Sequence, residues 1–283
     1  MALIKATPEK VTTLALSQEG YLEKASNSQL DDFKANAGSG NFTKFARDLD
    51  AIPNFYNGKK NGFPWCDVFV DWVFVKAFGV EAAKKLLCQP DKSLGAGCGY
   101  SAQYYKAKGQ FHTSNPKPGD QIFFLDSAGD VAHTGLVYKV DNLYVYTIEG
   151  NTSVQAGVVG NGGGVWCKKY AINYNRIYGY GRPDYDSVLY EQPEETKAPE
   201  TATTNKGDFT MEMRVLKNGC KGKDVKALQI LLIGNGCSCG RWGADGDFGL
   251  GTQGAVMAYQ KKNNLQVDGK AGPQTMRSLL GVE

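Results

Sequence analysis

The sequence predicts an α+β fold, N-terminal helices packed on an antiparallel sheet, followed by a small all-α domain of three helices. Three observations carry this. Apolar residues fall at helical spacing as far as about residue 108. After Pro116-Lys117-Pro118-Gly119-Asp120 the texture changes to short runs of β-formers separated by turn residues. Near the C-terminus helical periodicity returns, with an internal repeat.

In chain order, Pro8 to about Ala25 reads as a helix with Leu14, Tyr21 and Leu22 on one side, and about Phe42–Leu49 reads as a second. The run from Phe63 to Gly79 reads as a buried helix with Pro64 near its start and Gly79 at its end. Short helices are expected at Glu81–Leu87 and Ser101–Lys108. Strands are expected at Gln121–Leu125, Ala132–Val140, Leu143–Glu149, Gly164–Tyr170 and Ile177–Arg182. In the last part, helices are expected at Gly222–Leu232, Gln253–Asn263 and Met276–Leu280. The repeat D-G-x-x-G-x-x-T occurs at Asp245–Thr252 and again at Asp268–Thr275, each copy ahead of a helix; Asp-Gly suits the turn and Thr the N-cap.

Charge marks the domain boundaries. Residues 1–184 hold 20 Lys+Arg against 17 Asp+Glu, residues 185–209 hold 2 against 6, and residues 210–283 hold 10 against 6. The middle stretch is almost devoid of apolar residues and is expected to be a flexible acidic linker. Two mildly basic globular parts, 1–184 and 210–283, therefore flank a tether at 185–209. The basic excess is too small to argue for nucleic acid. No apolar run reaches membrane-spanning length, since Asp67, Asp71 and Lys76 interrupt the longest. The N-terminus lacks the apolar core of a signal peptide, which predicts synthesis in a cytoplasm. The seven cysteines are expected to be reduced there. Cys220, Cys237 and Cys239 lack a fourth zinc ligand nearby, so no metal and no cofactor is expected.

Chemistry concentrates on four residues. Cys66 opens the long apolar helix, where the backbone dipole favours a thiolate. His133 lies in a strand, and Glu149 and Asn151 lie at the end of the next. A two-residue hairpin loop at Asp141-Asn142 would set His133 opposite Gly150. One extra loop residue or one bulge would bring Glu149 or Asn151 opposite it on the same face. Either could then fix the imidazole tautomer. A nucleophile, a base and an orienting group suggest a cysteine hydrolase. His112, in Gln110-Phe111-His112-Thr113-Ser114, reads as a surface residue.

From about residue 8 to 184 the chain resembles a CHAP domain, a papain-like cysteine amidohydrolase family of bacteria and their phages. The resemblance rests on Trp65-Cys66, Pro118-Gly119-Asp120, His133-Thr134-Gly135 and Glu149-Gly150-Asn151. It implies Cys66 as nucleophile, His133 as base, Glu149 as orienting group and Asn151 as fourth member. Residues 210–283 resemble a three-helix peptidoglycan-binding domain through Leu228-Gln229, Asp245-Gly246, Phe248-Gly249, Tyr259-Gln260 and Asp268-Gly269. Together they imply an endolysin-like enzyme that cleaves a peptidoglycan amide bond, as N-acetylmuramoyl-L-alanine amidase or as endopeptidase. It would be made in a host cytoplasm and act on the wall after release. The alternative is a non-catalytic wall-binding protein with a decayed hydrolase domain. Trp242, Asp245 and Phe248 are the candidates for wall contact, with core packing the favoured reading of Phe248. Some family members carry an Asp-rich calcium loop before the cysteine; Ala51–Trp65 holds no acidic residue, so no calcium requirement is expected.

Overall fold

The computed structural model describes residues 3–90, 95–191, 214–240 and 242–281. The chain divides into two compact units, Met1–Glu194 and Glu195–Glu283.

The first unit runs β1 (Leu3–Lys5), α1 (Pro8–Leu16), α2 (Lys44–Asp50), α3 (Cys66–Phe78), α4 (Val80–Leu86), α5 (Cys98–Ala107), β2 (Phe111–His112), β3 (Gln121–Leu125), β4 (Val131–Val140), β5 (Tyr144–Thr152), β6 (Gly164–Ala171), β7 (Ile177–Gly181), a 3-10 turn (Tyr185–Ser187) and β8 (Leu189–Glu191). Strands β2 to β7 form one antiparallel sheet in the order β2-β7-β3-β4-β5-β6. This is the expected α+β arrangement.

Helix α3 is the axis of the unit. Apolar residues surround it on every side, and all but Val75 and Lys76 of its residues are buried. A helix apolar all round must be enclosed. Phe69, Phe74 and Phe78 pack with Phe45, Leu49, Ala83, Leu136 and Ile148. Gly79, at φ 80°, ends the helix where a side chain would be strained. At the other end Trp65 is wholly buried, and its indole N–H donates to Glu23 Oε2 at 2.8 Å. The second face of the sheet carries its own core of Ile122, Phe124, Val137, Val145, Tyr170 and Tyr180.

Pro118-Gly119-Asp120 makes the corner from which β3 departs. Gly119 has φ +90°, and a Cβ there would lie 2.5 Å from Pro8 Cβ. Buried Asp120 accepts Arg182 Nε at 3.0 Å and Nη2 at 2.8 Å, tying the end of β7 to the start of β3. This bidentate geometry is the strong form of the pair.

Helix α5 starts at Cys98, and the helices expected at Gln253–Asn263 and Met276–Leu280 start at Leu250 and Pro273, each three residues earlier than expected, with Gly249 and Gly272 rather than Thr252 and Thr275 at the last two N-caps. Three further readings change. The first helix stops at Leu16, not near Ala25, because the chain turns at Gly20 with φ +85°. Tyr21 goes instead into the core, its hydroxyl donating to the Leu30 carbonyl. His112 belongs to β2, paired with Tyr180, because Phe111 packs on Phe123 and Tyr178 and draws the segment onto the sheet edge. The tether expected at 185–209 does not begin at 185. Tyr185 stacks on Phe74, Tyr190 is buried, and β8 pairs with β1. These aromatic side chains give Tyr185–Glu191 enough apolar area to join the first unit. The rest of that stretch, 192–209, lies outside the described residues.

The second unit holds α6 (Lys223–Gly234), α7 (Leu250–Lys262) and α8 (Pro273–Leu280) around Val225, Leu228, Leu232, Phe248, Val256 and Leu279. Its repeat has a physical basis. Buried Gln229 Nε2 donates to Asp245 Oδ1, the Asp247 carbonyl and Thr252 Oγ1, while its oxygen accepts from Gly246 N–H. Gln260 does the same with Asp268, the Lys270 carbonyl, Thr275 and Gly269 N–H. Each D-G-x-x-G-x-x-T loop is folded around one glutamine amide.

Candidate active site

Four neighbouring strands and two helix starts assemble the site. His133 on β4 faces the same side of the sheet as Phe124 on β3, with ring centroids 6.0 Å apart. The β4–β5 hairpin skips a residue between Val137 and Lys139, a bulge that sets Leu136 opposite Ile148. Extending that register puts Gly135 beside Glu149 and His133 opposite Asn151. The turn lies at Asn142-Leu143, closed by Asp141 N–H on the Tyr144 carbonyl, one residue beyond the Asp141-Asn142 loop the sequence offered, and the bulge moves the register back by one. His133 Nε2 and Glu149 Oε2 are 2.9 Å apart and both side chains are fully buried.

Gly135 makes this contact possible. A Cβ at that position would lie 2.5 Å from Glu149 Cγ, so the carboxylate reaches His133 by crossing a residue without a side chain. Thr147 Oγ1 donates to Glu149 Oε1 at 2.5 Å and the Tyr170 hydroxyl to Oε2 at 3.2 Å. Glu149 is therefore gripped from β4, β5 and β6, and no freedom is left to the imidazole it holds.

With Nε2 engaged, Nδ1 is the nitrogen available to Cys66. Cys66 is the first residue of α3, where backbone N–H groups lack intrahelical partners. Its thiol is held well below the ordinary cysteine range, first by its hydrogen bond with Cys98, against desolvation, with His133 adding to the effect. Burial works to discharge His133, but Cys66 and Glu149 outweigh it and raise the imidazole to about 10. Both shifts favour thiolate and imidazolium over the neutral pair. Beside it, burial and the Cys66 charge push the Asp67 carboxyl up to about 7, against hydrogen bonds from Ser101 and Gln121.

The structure thus brings Cys66, His133 and Glu149 together, and of the two candidates it is Glu149 that bonds the imidazole. Asn151 does not bond to His133. It sits in the left-handed region at φ 53°, and its amide donates weakly to the Gly160 carbonyl at 3.5 Å. Sequence reasoning misses Cys98, Thr147, Tyr170 and Gly135. Only Gly135 left a signal, as the last residue of His133-Thr134-Gly135.

In the second unit the wall-contact candidates separate. Phe248 is 0% exposed and belongs to the core, which removes it from any ligand's reach. Asp245 Oδ1 is engaged by Gln229 and by Asp247 N–H, so its work is to hold the loop. Trp242 is 70% exposed. Among the described residues, no group of three His, Cys, Asp or Glu side chains is placed to hold a metal ion. No helix among them is long and apolar enough to cross a membrane.

Comparison with known proteins matches this division. Residues 58–151, which span Cys66, His133, Glu149 and Asn151, match the CHAP domain, and residues 221–279 match a putative peptidoglycan binding domain. A Bacillus licheniformis protein named N-acetylmuramoyl-L-alanine amidase CwlL is 38% identical over 137 residues, covering 41% of this chain and 37% of its own. A probable N-acetylmuramoyl-L-alanine amidase of the same organism is 35% identical over 102 residues, covering 36% of this chain and 28% of its own. Among solved structures, the SleB N-terminal domain has 41% sequence identity over 24% of this chain and 90% of that one, with a TM-score of 0.23. The chain spans about a third of the length of the curated relatives it matches.

Proposed function

We propose that this chain, a CHAP domain joined to a peptidoglycan-binding domain, is a cell-wall hydrolase that cuts an amide bond of peptidoglycan through Cys66. The observation that carries the reading is the buried His133–Glu149 pair, 2.9 Å apart, whose other ring nitrogen is buried without a hydrogen-bond partner and whose charge acts on the Cys66 thiol at a helix start.

The chemistry follows from that arrangement. The Cys66 thiolate attacks the amide carbonyl, and the oxyanion is met by N–H groups of the first turn of α3, which have no helical carbonyl to bond. His133 Nδ1 gives its proton to the leaving nitrogen as the C–N bond breaks, leaving a thioester on Cys66. The imidazole, now neutral, takes a proton from water as the water attacks the thioester. Cys66 departs as thiolate and the charged pair is restored. Glu149 keeps the tautomer and orientation of the ring through both steps.

The names of the relatives favour the muramoyl–alanine bond, and an endopeptidase would use the same residues. An endolysin-like part in host lysis fits the pairing of hydrolase and wall-binding units. The second unit would raise the local concentration of wall, and Trp242 is its exposed aromatic candidate. A decayed, non-catalytic wall binder is the other reading; the intact geometry of the three residues speaks against it. Turbidity of purified cell walls separates them. The full chain should clear the suspension, and Cys66→Ala should sediment with walls yet leave them intact. Clearing by Cys66→Ala at the unsubstituted rate would end the thiol mechanism, and no clearing by either would favour the binder.

A further inference from the structure

Cys98 is as buried as the nucleophile, 6% exposed against 7%, and its sulfur lies 3.4 Å from Cys66 Sγ. Nothing in the reading of Cys66, His133 and Glu149 requires a second thiol. Yet the two cysteines occupy the same position in their elements: each is the first residue of its helix, Cys66 of α3 and Cys98 of α5. Two helix N-termini therefore meet across one sulfur–sulfur contact. Each carries the partial positive charge of its unpaired N–H groups, and together they favour one negative charge between them.

We propose that Cys98 is a further catalytic residue, its thiol donating a hydrogen bond to the Cys66 thiolate and holding that thiolate ready below neutral pH. The proposal rests on the thiol mechanism above. What decides which sulfur is the anion is the company each keeps. Cys66 has the His133 imidazolium from β4 and the backbone N–H of Asp67. Cys98 has no cation among its influences; it has the Cys66 charge and the Asp67 carboxyl, both of which keep its proton on. The remaining ionisable group in the chain of contacts, Glu149 on β5, acts on His133 rather than on either sulfur. The sequence of α5, Cys98-Gly99-Tyr100-Ser101, adds a fitting detail: Ser101, one turn on, donates to Asp67 Oδ2 at 2.8 Å. One face of α5 thus supplies donors to two adjacent residues of α3.

The test follows thiolate formation at Cys66 directly, without substrate. The probe is iodoacetamide, with the alkylated peptide read by mass spectrometry across pH 4 to 10. In the unsubstituted chain Cys66 should react down to acid pH while Cys98 stays unmodified. Cys98→Ala should shift the Cys66 inflection upward by about one pH unit, about tenfold in rate on the acid limb and nothing on the alkaline limb, where the thiol ionises without help. Cys98→Ser, which keeps a donor, should restore most of the shift. Cys98→Val fills the volume without a donor and should behave as Cys98→Ala, which separates the hydrogen bond from the cavity. A Cys98→Ala or Cys98→Val profile that superimposes on the unsubstituted one overturns the proposal. So does alkylation of Cys98 as fast as Cys66 in the unsubstituted chain, a measurement that needs no variant. Failure of the hydrolase reading would show instead as wall clearing by Cys66→Ala.

Discussion

At the scale of single residues, the site works by opposed shifts of two protons. The Cys66 thiol is pulled down and the His133 imidazole is lifted to about 10, shifts that favour the charged pair on which the proposed mechanism runs. His133 is raised above its unfolded value, so its contribution to stability is complete below about pH 6.5 and is lost as pH rises through 10. Cys66 is depressed, so its contribution is present above its unfolded value and is lost as pH falls through the depressed one. Lysis should accordingly hold a plateau across neutral pH and fall off near pH 10 in a pH–rate profile. A fall centred near 6.5 would show an unperturbed imidazole. Gly135→Ala should be the most informative silent-looking change. Its Cβ would strike Glu149 Cγ, and we expect about a hundredfold loss of lysis, the scale of a misplaced general base, in a chain that still folds. Near-normal lysis would show that Glu149 need not cross Gly135. Cys66, His133 and Glu149 were legible because few residue types do this chemistry. Cys98, Thr147 and Tyr170 were not, because a thiol, a hydroxyl and a phenol gain their roles only from where the fold puts them.

At the scale of elements, position was read more easily than ends. The strand Gln121–Leu125 was placed correctly, and α3, β4, β5, β6 and β7 were found within a few residues, because period and turn chemistry are local properties; the short strands β1, β2 and β8 were not read. The end of α1 was missed because Gly20 can turn the chain only when Tyr21 has a core to enter. The β4–β5 register hung on the place of the turn and on one bulge; the sequence offered the bulge without choosing it and set the turn one residue early. Likewise Gln229 and Gln260 sit in ordinary helical sequence, yet each closes a loop with its one amide. Gln229→Ala would leave the carboxylate of Asp245, the Thr252 hydroxyl and Gly246 N–H short of a partner. It should destabilise the second unit by about 3 kcal/mol and lower its thermal midpoint, while the midpoint of the first unit stays in place. An unchanged second transition would show that water replaces the amide at no cost.

At the scale of the whole molecule, each unit holds a complete set of parts. The proposed nucleophile, base and orienting group all lie within Met1–Glu194, and the glutamine-anchored repeat lies within Glu195–Glu283. Residues 210–283 alone should therefore sediment with insoluble peptidoglycan. Failure to do so while the full chain sediments would move the binding role to the first unit. The acidic composition that marked a tether was informative about charge and silent about Tyr185 and Tyr190, whose rings belong to the first core. The central claim is that Cys66 opens an amide of the wall, and bond chemistry tests it most directly. Purified peptidoglycan is digested with the full chain, and new primary amines and new reducing ends are counted together. The account predicts amines rising with digestion, no new reducing ends, and neither with Cys66→Ala. Reducing ends without amines, or amines released equally by Cys66→Ala, would contradict it.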